Sequence, residues 1–456
     1  MRRAVLAPLA AAVLLSACAG TAPAPVASSP APPTSATPTG ARTDWPTYHG
    51  DLARTGVSTG MPPVTGEPVV VAALALDAAV YASPIVVGGV TVVATENDSV
   101  YGLDADGHRL WHTSLGAPAR RSELPCGNID PLGITGTPVF DAGTGLVYAV
   151  AEHGSPVSHE VVALSPSDGT VAWRTGVDLP GADATAMQQR GALTVAAGSV
   201  WVPFGGLAGD CGAYKGRVVG VPLAAPHVPS AYTVPTTREA GVWTPPGPSV
   251  DGRGHLLVAV GNGESGTGDR YDFSDSVLEL EGTRLVDSFS PDSWRTDNEA
   301  DLDLGSQGPA LVGDRWVFAA GKKGTAYVLR QGHLGGIGGQ VSSLDVCTSF
   351  GGTAVAADVV YVPCTDGLRA VRILDDGSMQ VLWHAGSAAT GSPVLGGGRL
   401  WSMQPDDGVL HSLDPTSGRT LSRTPVGVTS RFATPALSGR DVIVPTMVGI
   451  TIVRAS

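Results

Sequence analysis

From Ala82 to the C-terminus, short apolar runs alternate with turn residues on a repeat of about 50 residues. Gly308 to Arg330, GPALVGDRWVFAAGKKGTAYVLR, shows the unit. An apolar run ends at Val312, Gly313-Asp314 turns the chain, and Trp316 to Ala320 runs back. A Lys322-Lys323-Gly324 turn then leads into Ala326 to Leu329. Runs of this length between turn residues predict antiparallel strands joined by hairpins. The unit restarts at Ala82, Gly136, Gly191, Gly247, Gly308, Gly352, Gly391 and Ala433. A fourth run follows in several repeats, as in RLWHTSL from Arg109, VAWRTGV from Val171 and QVLWHAG from Gln380. The pattern predicts an all-β chain, an eight-bladed β-propeller of four-stranded antiparallel blades. The last repeat has no fourth run, whereas an unused one, PVVVAALAL, spans Pro68 to Leu76 ahead of the first. That N-terminal strand is expected to complete the last blade and remove an open sheet edge.

The first 43 residues lack this pattern. Arg2 and Arg3 followed by VLAPLAAAVLL read as an export leader, with an apolar core too short to span a bilayer. Leu15-Ser16-Ala17-Cys18 resembles a lipobox, which implies cleavage before Cys18 and lipid attachment to its thiol. An ordinary secretory signal with an incidental cysteine is the alternative. Residues 19–43, rich in Pro, Ala, Ser and Thr, lack the apolar side chains to fold and read as a disordered tether. The expected organisation is a signal peptide over 1–18, the tether over 19–43 and the propeller over 44–456. The protein is then a membrane-anchored lipoprotein of the cell envelope, on the outer side of the cytoplasmic membrane.

Composition narrows the partners. With 41 acidic against 28 basic residues and no basic cluster, nucleic acid is excluded as a partner. The 61 glycines and 36 prolines suit a turn-rich β chain. Apart from Cys18, four cysteines remain: Cys126, Cys211, Cys347 and Cys364. In an exported chain an even number suggests two disulfides, with buried free thiols as the alternative. Cys347 enters the first strand of its blade and Cys364 leaves the second, ends that antiparallel pairing brings together. Cys347–Cys364 is therefore expected, leaving Cys126–Cys211 to join loops of adjacent blades.

The segment Asp44-Trp45-Pro46-Thr47-Tyr48-His49-Gly50-Asp51, followed by Arg54-Thr55-Gly56, resembles the opening of the PQQ-binding-like propeller family (PQQ, pyrroloquinoline quinone). The repeated phrase resembles that family's repeat across residues 44–456. The superfamily holds both quinoprotein alcohol dehydrogenases and non-catalytic scaffolds. The resemblance to the dehydrogenases implies that Asn262, in Gly261-Asn262-Gly263, is a calcium ligand and that Asp275 is the catalytic base. It implies a quinone stacked on Trp243 with its oxygens met by Lys322, and Asp301 and Asp303 near the metal. The set is chemically coherent, because a tricarboxylate quinone needs cations, a flat aromatic floor and a hard metal on oxygen ligands. The chain also departs from that pattern. Ala213 stands where a glutamate ligand is expected, no adjacent Cys-Cys pair exists, and no segment binds haem. Each matched residue also has an ordinary use: Gly-Asn-Gly as a turn, Trp243 packed between blades, the acidic run as a solvated loop. The first functional expectation is a module binding a small molecule at the ring's mouth or an envelope protein on one face, with no cofactor. The alternative is a PQQ- and calcium-dependent alcohol dehydrogenase.

Overall fold

The structure is a computed structural model that describes residues 42–264 and 270–456. The leader, Cys18 and the tether up to residue 41 lie outside the described residues. The bonded part of the chain begins slightly earlier than expected. Arg42 donates to Gly89 O (3.0 Å) and Ser438 donates to Thr43 O (2.6 Å).

Eight antiparallel sheets follow one another along the chain, and each repeat start opens one. Blade 1, for example, comprises Ile85–Val87, Val90–Thr95, Ser99–Leu103 and Arg109–Ser114. Blade 5 comprises Ala310–Val312, Trp316–Ala319, Thr325–Arg330 and Ser342–Asp345. The middle strands are buried throughout, as in Ser99–Leu103, so they read as continuous apolar runs; outer strands such as Val171–Gly176 alternate. Apolar side chains between neighbouring blades form the core, for instance Val92 and Val100 of blade 1 with Val147 and Val162 of blade 2. Of the acidic run expected as a loop, Asp297, Asn298 and Glu299 instead lie in a short helix, Trp294–Glu299, with Asp297 and Asn298 buried, while Asp301 and Asp303 lie on the loop that follows. Lys323 fastens it to the ring through Asp297 (3.0 Å). No helix among the described residues is long and apolar enough to cross a membrane.

The ring closes as the pattern indicated. Val69–Ala75 pairs antiparallel with Gly449–Arg454 and supplies the fourth strand of blade 8. Ala72 and Leu74 pack onto the apolar cluster that joins blade 8 to its neighbours. Both expected disulfides are present, Cys126–Cys211 with Cα atoms 6.1 Å apart and Cys347–Cys364 at 5.7 Å.

The opening segment, Trp45 to Gly56, has no periodicity, and its place explains why. It runs through the centre of the ring. Trp45 pairs with Val86 of blade 1, Pro46 O accepts from Phe140 of blade 2, and Arg54 donates to Leu193 O beside blade 3. Leu52 O accepts from Val250 of blade 4, Thr55 O from Val355 of blade 6, and Gly56 O from Leu395 of blade 7. His49 reaches Thr353 O and Thr434 Oγ1, each at 3.0 Å, beside blades 6 and 8. Ala53 packs against the apolar cluster containing Leu311 of blade 5. One short segment bonds to the first strands, or to residues beside them, of seven blades and packs toward the fifth, because those strands encircle it.

Candidate functional site

Strand alternation sorts the loops by face. Turns joining first to second strands lie on one face. Loops joining second to third strands, and the connectors between blades, lie on the other. Asn262 and Lys322 follow second strands, while Trp243, Asp301 and Asp303 lie on connectors, so all five belong to that second face. They meet there around a cavity of ≈ 390 Å³ whose lining includes Trp243, Asn262, Asp301 and Lys322.

Backbone bonds hold these loops in register. Gly261 N donates to Gly241 O (2.9 Å), Asp275 N to Gly261 O (3.0 Å), and Lys322 N to Asp303 O (3.1 Å). The approach is close enough to require glycine. A Cβ on Gly305 would lie 2.5 Å from Gly261 Cα, and one on Gly321 2.4 Å from Asp303 O.

At the centre, the Lys322 ammonium bridges Asp301 and Asp303, with Asp303 Oδ2 at 2.8 Å. It sits 5.7 Å from the Trp243 ring centroid. Oriented to donate, the Asn262 amide reaches Asp301 Oδ1 and Asp303 Oδ2, each at 3.3 Å. Asp303 is fully buried and its Oδ1 has no partner. Burial pushes its carboxyl up, against the pull of Lys322. Burial works against the Lys322 charge too, yet Asp303 and Asp301 hold that ammonium above its ordinary value.

Two expectations need correction. Asp275 does not line the cavity. It is 1 % exposed, behind the wall, and its Oδ1 accepts from Leu304 N (2.7 Å). Burial, and then the Asp303 charge, push its carboxyl well above its ordinary value. It braces the connector that carries Asp303. Nor is Ala213 the residue facing the cavity from its loop. Ala213 is exposed, whereas Tyr214 is buried and lines the cavity with Asp210, to which its hydroxyl donates (2.5 Å).

The motifs did not disclose the opposite wall. Arg190 stacks over the Phe432 ring (4.5 Å to the centroid) and Arg431 over Phe350 (4.3 Å), and all four line the cavity. Phe432 also meets Trp243 edge-on at 6.1 Å. Among the described residues neither guanidinium makes an ion pair or hydrogen bond. Their one signal in the sequence is position, directly before the starts of the repeats at Gly191, Gly352 and Ala433, where the chain crosses the mouth face.

The arrangement can hold a flat anion against Arg190 and Arg431, with Trp243, Phe350 and Phe432 lining the same cavity. Asp301 and Asp303 offer oxygen ligands of the kind calcium takes, and the unpartnered Asp303 Oδ1 fits it, whereas Asn262, whose NH2 faces the two carboxylates, would have to turn its amide oxygen toward an ion. A cation bound there would polarise a ligand oxygen, with Lys322 as its competitor for the carboxylates.

Comparison with known proteins bears on the fold. Residues 54–202 match the profile described as outer membrane protein assembly factor BamB. The quinohemoprotein alcohol dehydrogenase of Comamonas testosteroni superposes with a TM-score of 0.68 at 15% identity, over 91% of this chain and 81% of that one. The chain shares that structure's fold. A europium-containing methanol dehydrogenase gives 0.66 at 13% identity, covering 89% of this chain and 90% of its own chain. BamB from Moraxella catarrhalis gives 0.56 at 16% identity, over 85% of this chain and all (100%) of that one. No curated protein matches in sequence.

Proposed function

We propose that this PQQ-like propeller binds a small planar anion in the mouth cavity, as a lipid-anchored module on the outer side of the cytoplasmic membrane. The observation that carries the reading is the pair Arg190–Phe432 and Arg431–Phe350, two unpaired guanidiniums on aromatic rings facing one cavity. In an acidic protein, unpaired cations gathered in one concave site favour an anion, and guanidinium forks match carboxylates. The test is thermal stabilisation by a series of aromatic mono-, di- and tricarboxylates. Stabilisation that rises with carboxylate number, and falls about tenfold in apparent affinity in Arg190→Gln and Arg431→Gln, supports the reading. No stabilisation by any member would sink it.

A second reading is favoured by the convergence of Asn262, Asp301, Asp303 and Lys322 beside Trp243. It is a quinone- and calcium-dependent alcohol dehydrogenase. Asp301, exposed at the cavity, would then take the proton-accepting role expected of Asp275. Titration with PQQ, with and without calcium, followed by dye-linked alcohol oxidation, separates the two. Binding without turnover leaves a binding module, calcium-dependent turnover establishes the enzyme, and loss of turnover in Asp301→Asn at unchanged calcium affinity identifies the base.

Anchoring rests on the lipobox. Cys18→Ala is expected to move the protein out of the membrane fraction or leave the precursor uncleaved. An unchanged membrane fraction with an unlipidated N-terminus would remove this part of the proposal.

A further inference from the structure

The face opposite the mouth has a cavity of its own, ≈ 940 Å³, lined by Leu52, Val250, Asp251, Arg253 and Leu311 among others. On its wall stands the hairpin turn of blade 4, Asp251-Gly252-Arg253-Gly254-His255. Asp251 Oδ1 caps that turn, accepting from the backbone N–H groups of Arg253 and His255 (both 2.9 Å), which leaves Oδ2 directed elsewhere. Glu279 lies on the neighbouring strand, Ser276–Glu281, beside Leu257. Donor atoms of Asp251, His255 and Glu279 all fall within 4.8 Å of one another.

Arg253 now occupies this nest. Its Nη2 lies 2.7 Å from Asp251 Oδ2 and 2.6 Å from Glu279 Oε1, and His255 Nδ1 is 2.6 Å from the same Glu279 oxygen. The guanidinium does not satisfy the group. Glu279 is 1 % exposed, yet its Oε2 has no partner. A buried carboxylate oxygen without a donor is costly, so it marks a place where a further ligand would bind favourably. The Arg253 side chain is 47% exposed and borders the cavity, so it can swing out without disturbing the hairpin.

One imidazole nitrogen and two carboxylates suit a divalent first-row transition ion better than calcium, which prefers oxygen alone. We propose that Asp251, His255 and Glu279 form a divalent transition-metal site on the face opposite the mouth, with Arg253 as the counter-cation that the ion displaces. The site is independent of the mouth reading.

Cobalt(II) titrated into the chelator-treated full chain tests it. One equivalent is expected to give a visible d–d band that zinc removes. Arg253→Gln should tighten binding about tenfold by removing the competing cation. His255→Gln and Glu279→Gln should weaken it about 100-fold or more. The double variant Asp301→Asn, Asp303→Asn should bind cobalt as the wild type does. Because Glu279 is buried and replacing it also perturbs the fold, the wild-type cobalt protein provides a second readout: a hyperfine-shifted exchangeable imidazole proton. The proposal fails if neither wild type nor Arg253→Gln shows the band, or if His255→Gln binds normally. Dependence of the band on Asp301 and Asp303, or absence of the imidazole signal, would equally overturn it.

Discussion

Glu96 sets a pH dependence that a single side chain can test. One of its oxygens accepts from Gly133 N (2.8 Å) and Thr135 Oγ1 (3.1 Å), while Oε1 has no partner. Burial pushes its carboxyl from 4.5 up to about 8, and the charge of Glu152 acts in the same direction. An acid whose folded pKa is raised contributes stability below its unfolded value and loses it as pH climbs to the folded one. His159 adds to the trend. Burial alone would lower it, but Glu152 and Asp178 raise it to about 10, so its contribution declines above 6.5. His49 works the other way only at lower pH, since burial lowers it to about 3 and its contribution is lost below 6.5. Between pH 6.5 and 8 the protein is therefore expected to lose roughly 2 kcal/mol from Glu96 alone. Denaturant melts at the two pH values check this. Glu96→Gln should flatten the slope, and an unchanged slope in that variant would refute the assignment.

At the scale of elements, the strand that closes the ring and the crosslinks of the mouth face make separate predictions. Val69–Ala75 covers the edge of Gly449–Arg454 and packs Ala72 and Leu74 on the core. Deleting residues 68–76 is expected to cost about 5 kcal/mol or more, since an exposed edge and uncovered apolar surface result. A truncated protein that melts like the full chain would contradict the closure. Replacing Cys126 and Cys211 by Ala is expected to cost about 2–4 kcal/mol, as is replacing Cys347 and Cys364. Urea melts of each pair measure it. These elements were legible because strand pattern and topology carry them: a missing fourth run at one end and a spare one at the other leave a single closure. The candidate site was legible only where a motif marked it. Asn262 and Lys322 stand in recognisable turns. The cavity-facing choice between Ala213 and Tyr214, or between Asp275 and Asp301, depends on which side of an irregular loop faces inward, and no periodicity encodes that. Arg190, Arg431, Phe350 and Phe432 lie in connectors that vary from repeat to repeat, so only their position before each repeat start pointed to the mouth face.

For the whole molecule, the decisive element is the aperiodic segment from Trp45 to Gly56, because neighbour-to-neighbour packing alone would leave opposite blades uncoupled. Arg54 is its most heavily bonded side chain. Its guanidinium donates to Thr47 Oγ1 (2.6 Å), Tyr48 O (3.2 Å), Leu193 O (2.8 Å) and Thr194 Oγ1, at 4 % exposure. Burial depresses it to about 10, against the pull of Asp51, so it remains charged at neutral pH. Methionine at this position fills similar volume but leaves the carbonyls of Tyr48 and Leu193 unpartnered. Arg54→Met is therefore expected to cost about 3 kcal/mol, in line with losing charge-assisted bonds in a buried site. Arg109→Met, on the exposed outer strand of blade 1, should cost less than about 0.5 kcal/mol. Where the loss appears matters more than its size. If the segment is a hub shared by the blades, amide exchange in Arg54→Met should quicken together in the first strands of blades 1, 2, 3, 4, 6, 7 and 8. Exchange that quickens only around Leu193 and Thr194 would mean that Arg54 serves blade 3 alone, and that packing between neighbouring blades holds the ring without a central tie.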